Sequence, residues 1–379
     1  MNNITLIATS TFGLEKVVKI EVQALGFENI KVSEGRIEFE ATLEDIPKTN
    51  LWIRCADRVL LKMGEFEAFT FEELFEQTKA LPWENWITED GKFTVKGKAV
   101  KSTLGSIRAC QSIVKKAVVE RLKDKYNVEW FEETGPEFTI QISMLKDMAL
   151  LPIDTSGIGL HKRGYREEAV EAPLKETLAS ALVLLSFWNK ERLLVDPMCG
   201  SGTILIEAAM IARNIAPGLK REFASEKWQA IRKKAWTEAR RSAQNAIITN
   251  FKLQIFGYDI NRNSIEACKI NARNAGVEKD IVFEQKDIKD LWIDRQYGIV
   301  ISNPPYGIRM ADFKEINEIY ISFHKTFKKK KGWSLYILTA DDVFPNYFKR
   351  AKPDRVRKLY NGRIPANYYQ YYGEKPTSK

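Results

Sequence analysis

The apolar run Gly298-Ile299-Val300-Ile301 leads directly into Ser302-Asn303-Pro304-Pro305-Tyr306-Gly307, and this join constrains the fold more than any other stretch. A short apolar run bounded by turn residues reads as a buried strand. The ends of such strands are where open α/β sheets keep their sites. The Asn303 side chain and the Pro304 carbonyl offer two acceptors held by two prolines, and Tyr306 offers a flat face. That set suits a planar amine such as a nucleobase, although an ordinary turn between strand and helix would read the same way in isolation.

Three further runs supply the context. Leu193-Leu194-Val195 enters Asp196-Pro197-Met198-Cys199-Gly200-Ser201-Gly202-Thr203, followed by the helical pattern from Ile204 to Ala212. Glycine lets backbone approach a ligand, and a helix start presents free N–H groups to an anion; Thr203 is read as the cap of that helix. Phe256-Gly257-Tyr258 ends in Asp259, an acid able to accept from two ribose hydroxyls, and Ile281-Val282-Phe283 leads to Asp287 and Ile288. A nucleoside-bearing cofactor is implied. A dinucleotide fingerprint needs G-x-G-x-x-G and an acid about 20 residues on, whereas here no third glycine follows Gly202 and Asp259 lies far beyond a long helical insertion.

A chain of 379 residues is long for one core, so two or three domains are expected. The four cysteines, Cys55, Cys110, Cys199 and Cys268, form no CxxC pair, and with only two histidines neither a metal site nor a disulfide framework is expected. Cys199 reads as a packing residue. Residues 1–5 lack the regions of a signal peptide and no run approaches a membrane span, so a cytoplasmic location without membrane association is expected. The formal charge of +9 favours an anionic partner.

In the first half, Ile4-Thr5-Leu6-Ile7-Ala8 reads as a strand, residues 13–25 as a helix closed by Gly26, 93–99 as a strand, 106–126 as a long amphipathic helix and 137–143 as a strand. No catalytic chemistry appears there. Lys96, Lys98, Lys101, Arg108 and Lys115 cluster near a strand and a helix start, where they reach phosphates or form a solvated charged face. A connector follows with His161-Lys162-Arg163-Gly164-Tyr165-Arg166, whose Lys162, Arg163 and Arg166 are candidate phosphate contacts, and Lys227 to Arg241, which interleaves Trp228 and Trp236 with cations, is a candidate for RNA contact.

Asp196-Pro197-Met198-Cys199-Gly200-Ser201-Gly202-Thr203 together with Asn303-Pro304-Pro305-Tyr306 resembles the class I S-adenosylmethionine-dependent methyltransferases that alkylate exocyclic amines. Phe93-Thr94-Val95-Lys96, Lys101-Ser102-x-Leu104 and residues 111–118 resemble the THUMP RNA-binding domain with a preceding ferredoxin-like piece. His161 to Arg166 with Ala172-Pro173-Leu174-Lys175-Glu176-Thr177 is similar to the junction in the N-terminal, guanine-N2 half of bacterial 23S rRNA methyltransferases of the RlmL type and their stand-alone relatives.

The resemblance implies an α/β chain: a ferredoxin-like piece over 1–60, a THUMP domain over 61–154, a linker over 155–170, and a Rossmann-like methyltransferase domain with a mostly parallel doubly wound sheet over 171–379. It implies S-adenosylmethionine as cofactor, no metal, and 23S rRNA or an assembling large subunit as partner. Asp196, Met198, Gly200, Gly202, Thr203, Asp259, Asp287, Ile288 and Asn303 are then cofactor-binding, and Asn303, Pro304 and Tyr306 catalytic. Two alternatives stay open: a tRNA guanine-N2 or adenine-N6 enzyme, and a non-catalytic RNA-binding assembly factor.

Overall fold

The computed structural model describes residues 3–167, 174–305, 313–348 and 352–375, with only the backbone of 313–315. The chain divides into two compact units, residues 1–10, 18–160 and 221–242, and residues 11–17, 161–220 and 243–379.

The first unit is built on β1 (Ile4–Thr9), α1 (Glu15–Ala24), β2 (Lys31–Ser33), β3 (Arg36–Ala41), α2 (Asp45–Trp52), β4 (Arg58–Glu67), α3 (Phe71–Lys79), β5 (Lys92–Val100), α4 (Ile107–Tyr126), β6 (Glu137–Leu145) and β7 (Met148–Asp154). They form one seven-stranded sheet in the order β2-β3-β1-β4-β7-β6-β5. The β4–β7 pairing joins a ferredoxin-like half to a second α/β half. Local chemistry sets the helix ends: Thr70 and Glu73 make a reciprocal capping box at α3, and Ser106 accepts from the Ala109 N–H at the start of α4. β5 and β6 run parallel, and Gly97 permits their close approach, since a Cβ there would lie 2.5 Å from the Ile142 side chain. β6 alternates, burying Phe138, Ile140, Ile142 and Met144.

The second unit contains α5 (Glu176–Leu184), β8 (Leu194–Asp196), α6 (Thr203–Ala212), α7 (Lys233–Asn245, in part), β9 (Ile255–Asp259), α8 (Arg262–Ala275), β10 (Ile281–Gln285), β11 (Tyr297–Ser302), α9 (Phe313–Phe327), β12 (Gly332–Thr339), α10 (Phe344–Tyr347), β13 (Arg355–Asn361) and β14 (Ile364–Tyr371). Its sheet runs β10-β9-β8-β11-β12-β14-β13, parallel from β10 to β12 and closed by the antiparallel hairpin β13–β14. β12 is buried along its whole length, which is why such strands read as continuous apolar runs rather than alternating ones. Val195, Val300, Trp333, Leu335 and Ile337 pack with Phe323, Phe327, Phe344 and Phe348 in one core. The expected mostly parallel doubly wound sheet is present.

The insertion 221–242 lies in the sequence of the catalytic half but packs with the first unit. Trp228 is 1% exposed and stacks on Phe138 at 5.0 Å between ring centroids, Ser225 bonds to the Thr155 backbone, and Arg221 donates to the carbonyls of Ile158 and Gly159. Trp236 is also buried, against Phe223. The two tryptophans within the stretch that is a candidate for RNA contact are therefore core residues, because apolar partners cover them, and for Trp228 that partner lies far away in sequence.

Candidate active site at the strand switch point

Chain progression in the second sheet reverses between β8 and β11, so their carboxyl ends flank a crevice. A cavity of about 670 Å³ opens there, lined by Asp196 to Ser201, Thr203, Asp259, Asp287, Ile288 and Asn303 to Pro305. That size accommodates a nucleoside-bearing ligand.

Asp196 is buried and ties the two flanking strands together. Its Oδ1 accepts from the Ser302 hydroxyl at 2.7 Å and from the Met198 N–H at 3.1 Å. Burial pushes its carboxyl up to about 7, those two hydrogen bonds opposing and nearby Asp259 adding to the rise. The turn after it needs Gly200 and Gly202 in left-handed backbone, with φ of 54° and 78°. Asp259 holds that turn: one oxygen accepts from the Gly200 N–H at 2.9 Å and the other from the Asn261 N–H at 2.8 Å. A carboxylate oxygen accepts twice, so each retains a lone pair for a hydroxyl in the cavity. Asp287 lines the cavity while one oxygen caps the short turn at Lys289.

Gly202, not Thr203, is the N-cap of α6, and it provides no side-chain cap. Thr203 is instead the first helical residue, and its hydroxyl accepts from Arg166 at 2.8 Å. The left-handed backbone that the turn requires selects glycine at the cap. Cys199 is buried at 3.7 Å from Cys268, and that contact together with burial holds its thiol well above the usual range.

Asn303 lines the cavity with its Oδ1 buried, and among the described residues no hydrogen-bond partner reaches that oxygen. A buried acceptor left without a donor costs roughly 1–3 kcal/mol. Pro304 lies beside it. Tyr306 lies outside the described residues. Sequence reasoning missed Leu174, Ile260, Lys286, Ile319, Asn361 and Ile364, which also line the cavity. Only Ile260 carried a local signal, as the apolar residue directly after a strand-end acid; Asn361 and Ile364 arrive through the β13–β14 turn.

Three comparisons bear on this arrangement. A family model described as "RMKL-like, methyltransferase domain" matches residues 163–370, one for the "RlmL ferredoxin-like domain" matches 5–60, and one for the THUMP domain matches 68–154. The chain belongs to the RMKL-like methyltransferase family. It is 47% identical over 99% of its length to the Bacillus subtilis (strain 168) protein called "Putative RNA methyltransferase YpsC", covering 97% of that protein. It is 33% identical over 95% of its length to the "Ribosomal RNA large subunit methyltransferase K/L" of Syntrophotalea carbinolica, of which it spans only 52%. Among solved structures it resembles one titled "predicted N6-adenine-specific DNA methylase" from Listeria monocytogenes, at 46% identity, a TM-score of 0.94 and coverage of 99% and 97% of the two chains. It also resembles one titled "a putative methyltransferase complexed with SAH", at 42% identity, a TM-score of 0.93 and full coverage of both chains.

Within the THUMP match, Lys96 and Lys98 are exposed two residues apart on β5, at the edge of the sheet, and so share a face. Lys101, Arg108 and Lys115 are exposed nearby, and the Lys115 ammonium lies 6.0 Å from the Phe93 ring. Of the three candidate cations in the connector, only Lys162 is exposed. Arg163 is 3% exposed and faces Glu207 at 3.5 Å; Arg166 is largely buried, with Glu176 at 3.4 Å. These two arginines are corrected from phosphate contacts to internal ion pairs, because their acidic partners lie on α5 and α6. Among the described residues no group of His, Cys, Asp and Glu is placed to hold a metal ion, and no helix is long and apolar enough to cross a membrane.

Proposed function

We propose that this chain transfers a methyl group from S-adenosylmethionine to the exocyclic N2 amine of a guanine in 23S rRNA, with residues 1–154 docking the RNA. The observation that carries the reading is Asn303, which lines the cavity at the strand switch point and whose buried Oδ1 has no hydrogen-bond partner among the described residues. The residues fit the cofactor: Asp259 retains acceptor capacity for ribose hydroxyls, Ile260 and Ile288 supply apolar walls, and the Gly200–Gly202 turn brings backbone close.

When bound, S-adenosylmethionine supplies an electrophilic methyl on a sulfonium. Everything else is the work of the chain. The lone pair of an aromatic amine is delocalised into its ring, so the nitrogen is a poor nucleophile. Hydrogen bonds from its two N–H groups to Asn303 Oδ1 and the Pro304 carbonyl draw it toward tetrahedral geometry and aim the lone pair. The same acceptors stabilise the positive charge that builds on nitrogen, and the proton leaves to solvent afterward. No histidine base and no covalent enzyme intermediate are involved. The likeness of the THUMP region to an RNA-binding module and the naming of the K/L relatives for large-subunit rRNA support the choice of RNA and a cytoplasmic location.

Product analysis tests this: protein, labelled S-adenosylmethionine and unmodified large-subunit rRNA or its precursor particle, digested to nucleosides for mass spectrometry. N2-methylguanosine is expected. N6-methyladenosine would retain the acceptor chemistry and overturn the guanine assignment, and methylation of tRNA alone would overturn the rRNA assignment.

A further inference from the structure

The connector that reads as a phosphate-binding stretch is wired into the start of α6. Thr203 and Glu207 lie one turn apart on that helix, and both are buried. Glu207 receives the Tyr165 hydroxyl at 3.1 Å, the Ser180 hydroxyl, and Arg163 Nε at 3.5 Å. Thr203 receives Arg166 Nη2 at 2.8 Å, and the same nitrogen donates to the Leu174 carbonyl at 3.0 Å. Arg166 thus bridges the connector, the stretch just before α5 and the first residue of α6, with Glu176 as its counter-ion at 3.4 Å. Arg166 does not line the cavity, whereas Thr203 and Leu174 do.

A guanidinium only donates, so the Thr203 oxygen must accept from it. The Thr203 proton is then turned away from Arg166, and the hydroxyl of Ser201, another residue that lines the cavity, lies 3.3 Å off. This is also the electropositive start of a ten-residue helix whose cap has no side chain to satisfy it. The acids Asp259 and Asp287 sit at the ends of other strands, β9 and β10. An anionic end of a ligand is favoured at Thr203, and a polyhydroxylated end at Asp259.

Resting on the methyltransferase reading above, we propose that Arg166 is a positioning residue for the cofactor, acting through Thr203 to present a hydroxyl donor to the amino-acid carboxylate of S-adenosylmethionine. Arg163 and Tyr165, held by Glu207, anchor the segment that carries it. Arg163 and Arg166 therefore serve the cofactor site and not the RNA surface.

The test measures dissociation constants, by calorimetry on the full chain, for S-adenosylmethionine and for decarboxylated S-adenosylmethionine, which keeps the adenosine and sulfonium but lacks the carboxylate. Arg166→Met and Thr203→Val should each weaken S-adenosylmethionine binding roughly ten- to hundredfold, and the double variant should be no weaker than the worse single one. Binding of the decarboxylated compound should change less than about threefold in all three. Thr203→Ser, which keeps the hydroxyl, should bind like the parent, and RNA affinity should be unchanged throughout. Equal losses for both compounds would reduce Arg166 to general support and overturn the proposal, as would lost RNA affinity with intact cofactor binding. A parent protein that binds neither compound would instead remove the methyltransferase reading itself.

Discussion

The connector 162–166 and the edge strand β5 both carry closely spaced cations, yet the first turns Arg163 and Arg166 inward onto Glu207 and Glu176 while the second turns Lys96 and Lys98 outward. The difference lies in the partners. Glu207 is 44 residues beyond Arg163, on a helix that brings it back beside the connector. On β5 the lysines alternate with Val95, so the strand's own period puts them on a solvent face. Arginine is suited to the buried role because its fork satisfies several acceptors at once, and lysine to the exposed one because its point charge is easily kept hydrated. A cluster of positive charge thus names no partner until the location of its counter-charges is known.

The largest effect that would sharpen this contrast is on stability. Glu207→Ala should destabilise the protein by about 3–5 kcal/mol, because it removes a buried carboxylate that faces the Arg163 guanidinium and accepts from Tyr165 and Ser180, and denaturant unfolding measures it. A loss under about 1 kcal/mol would mean that the pair behaves as a surface ion pair and would break the comparison. Asp259→Ala comes next, weakening S-adenosylmethionine binding by about 1–3 kcal/mol through loss of a charged acceptor. Calorimetry measures it, with RNA affinity as the control that should not move. The smallest effect belongs to β5. Lys96→Ala with Lys98→Ala should leave stability within about 0.5 kcal/mol. RNA binding should weaken alike for all sequences, and the slope of log affinity against log salt should become shallower by roughly 0.7–0.9 for each phosphate that is no longer neutralised. Unchanged salt dependence would show that this face does not meet the backbone of RNA.

The catalytic half was legible because its chemistry is local. Strands of the parallel sheet begin as short apolar runs, and a residue that lines the cavity follows within a few positions: Asp196 at the end of β8, Asp259 at the end of β9, Asn303 after β11. What was not legible depends on distant contacts. Asn361 and Ile364 line the cavity from the β13–β14 turn, which no local pattern ties to the Asn303 loop. Trp228 pairs with Phe138, 90 residues before it in the chain, a partner that the local interleaving of aromatic and basic residues does not signal. Thr203 was assigned a cap because threonine favours that position, but the φ of 78° at Gly202 takes the cap one residue earlier.

The proposed chemistry turns on Asn303 and the Pro304 carbonyl reshaping the target amine, so the decisive experiment is single-turnover methyl transfer by Asn303→Ala at saturating RNA and cofactor. S-adenosylmethionine affinity should fall far less than the transfer rate, which slows by roughly 10² to 10³, the usual cost of removing one preorganised electrostatic contact. An Asn303→Ala protein that transfers methyl groups at the parent rate would contradict this mechanism.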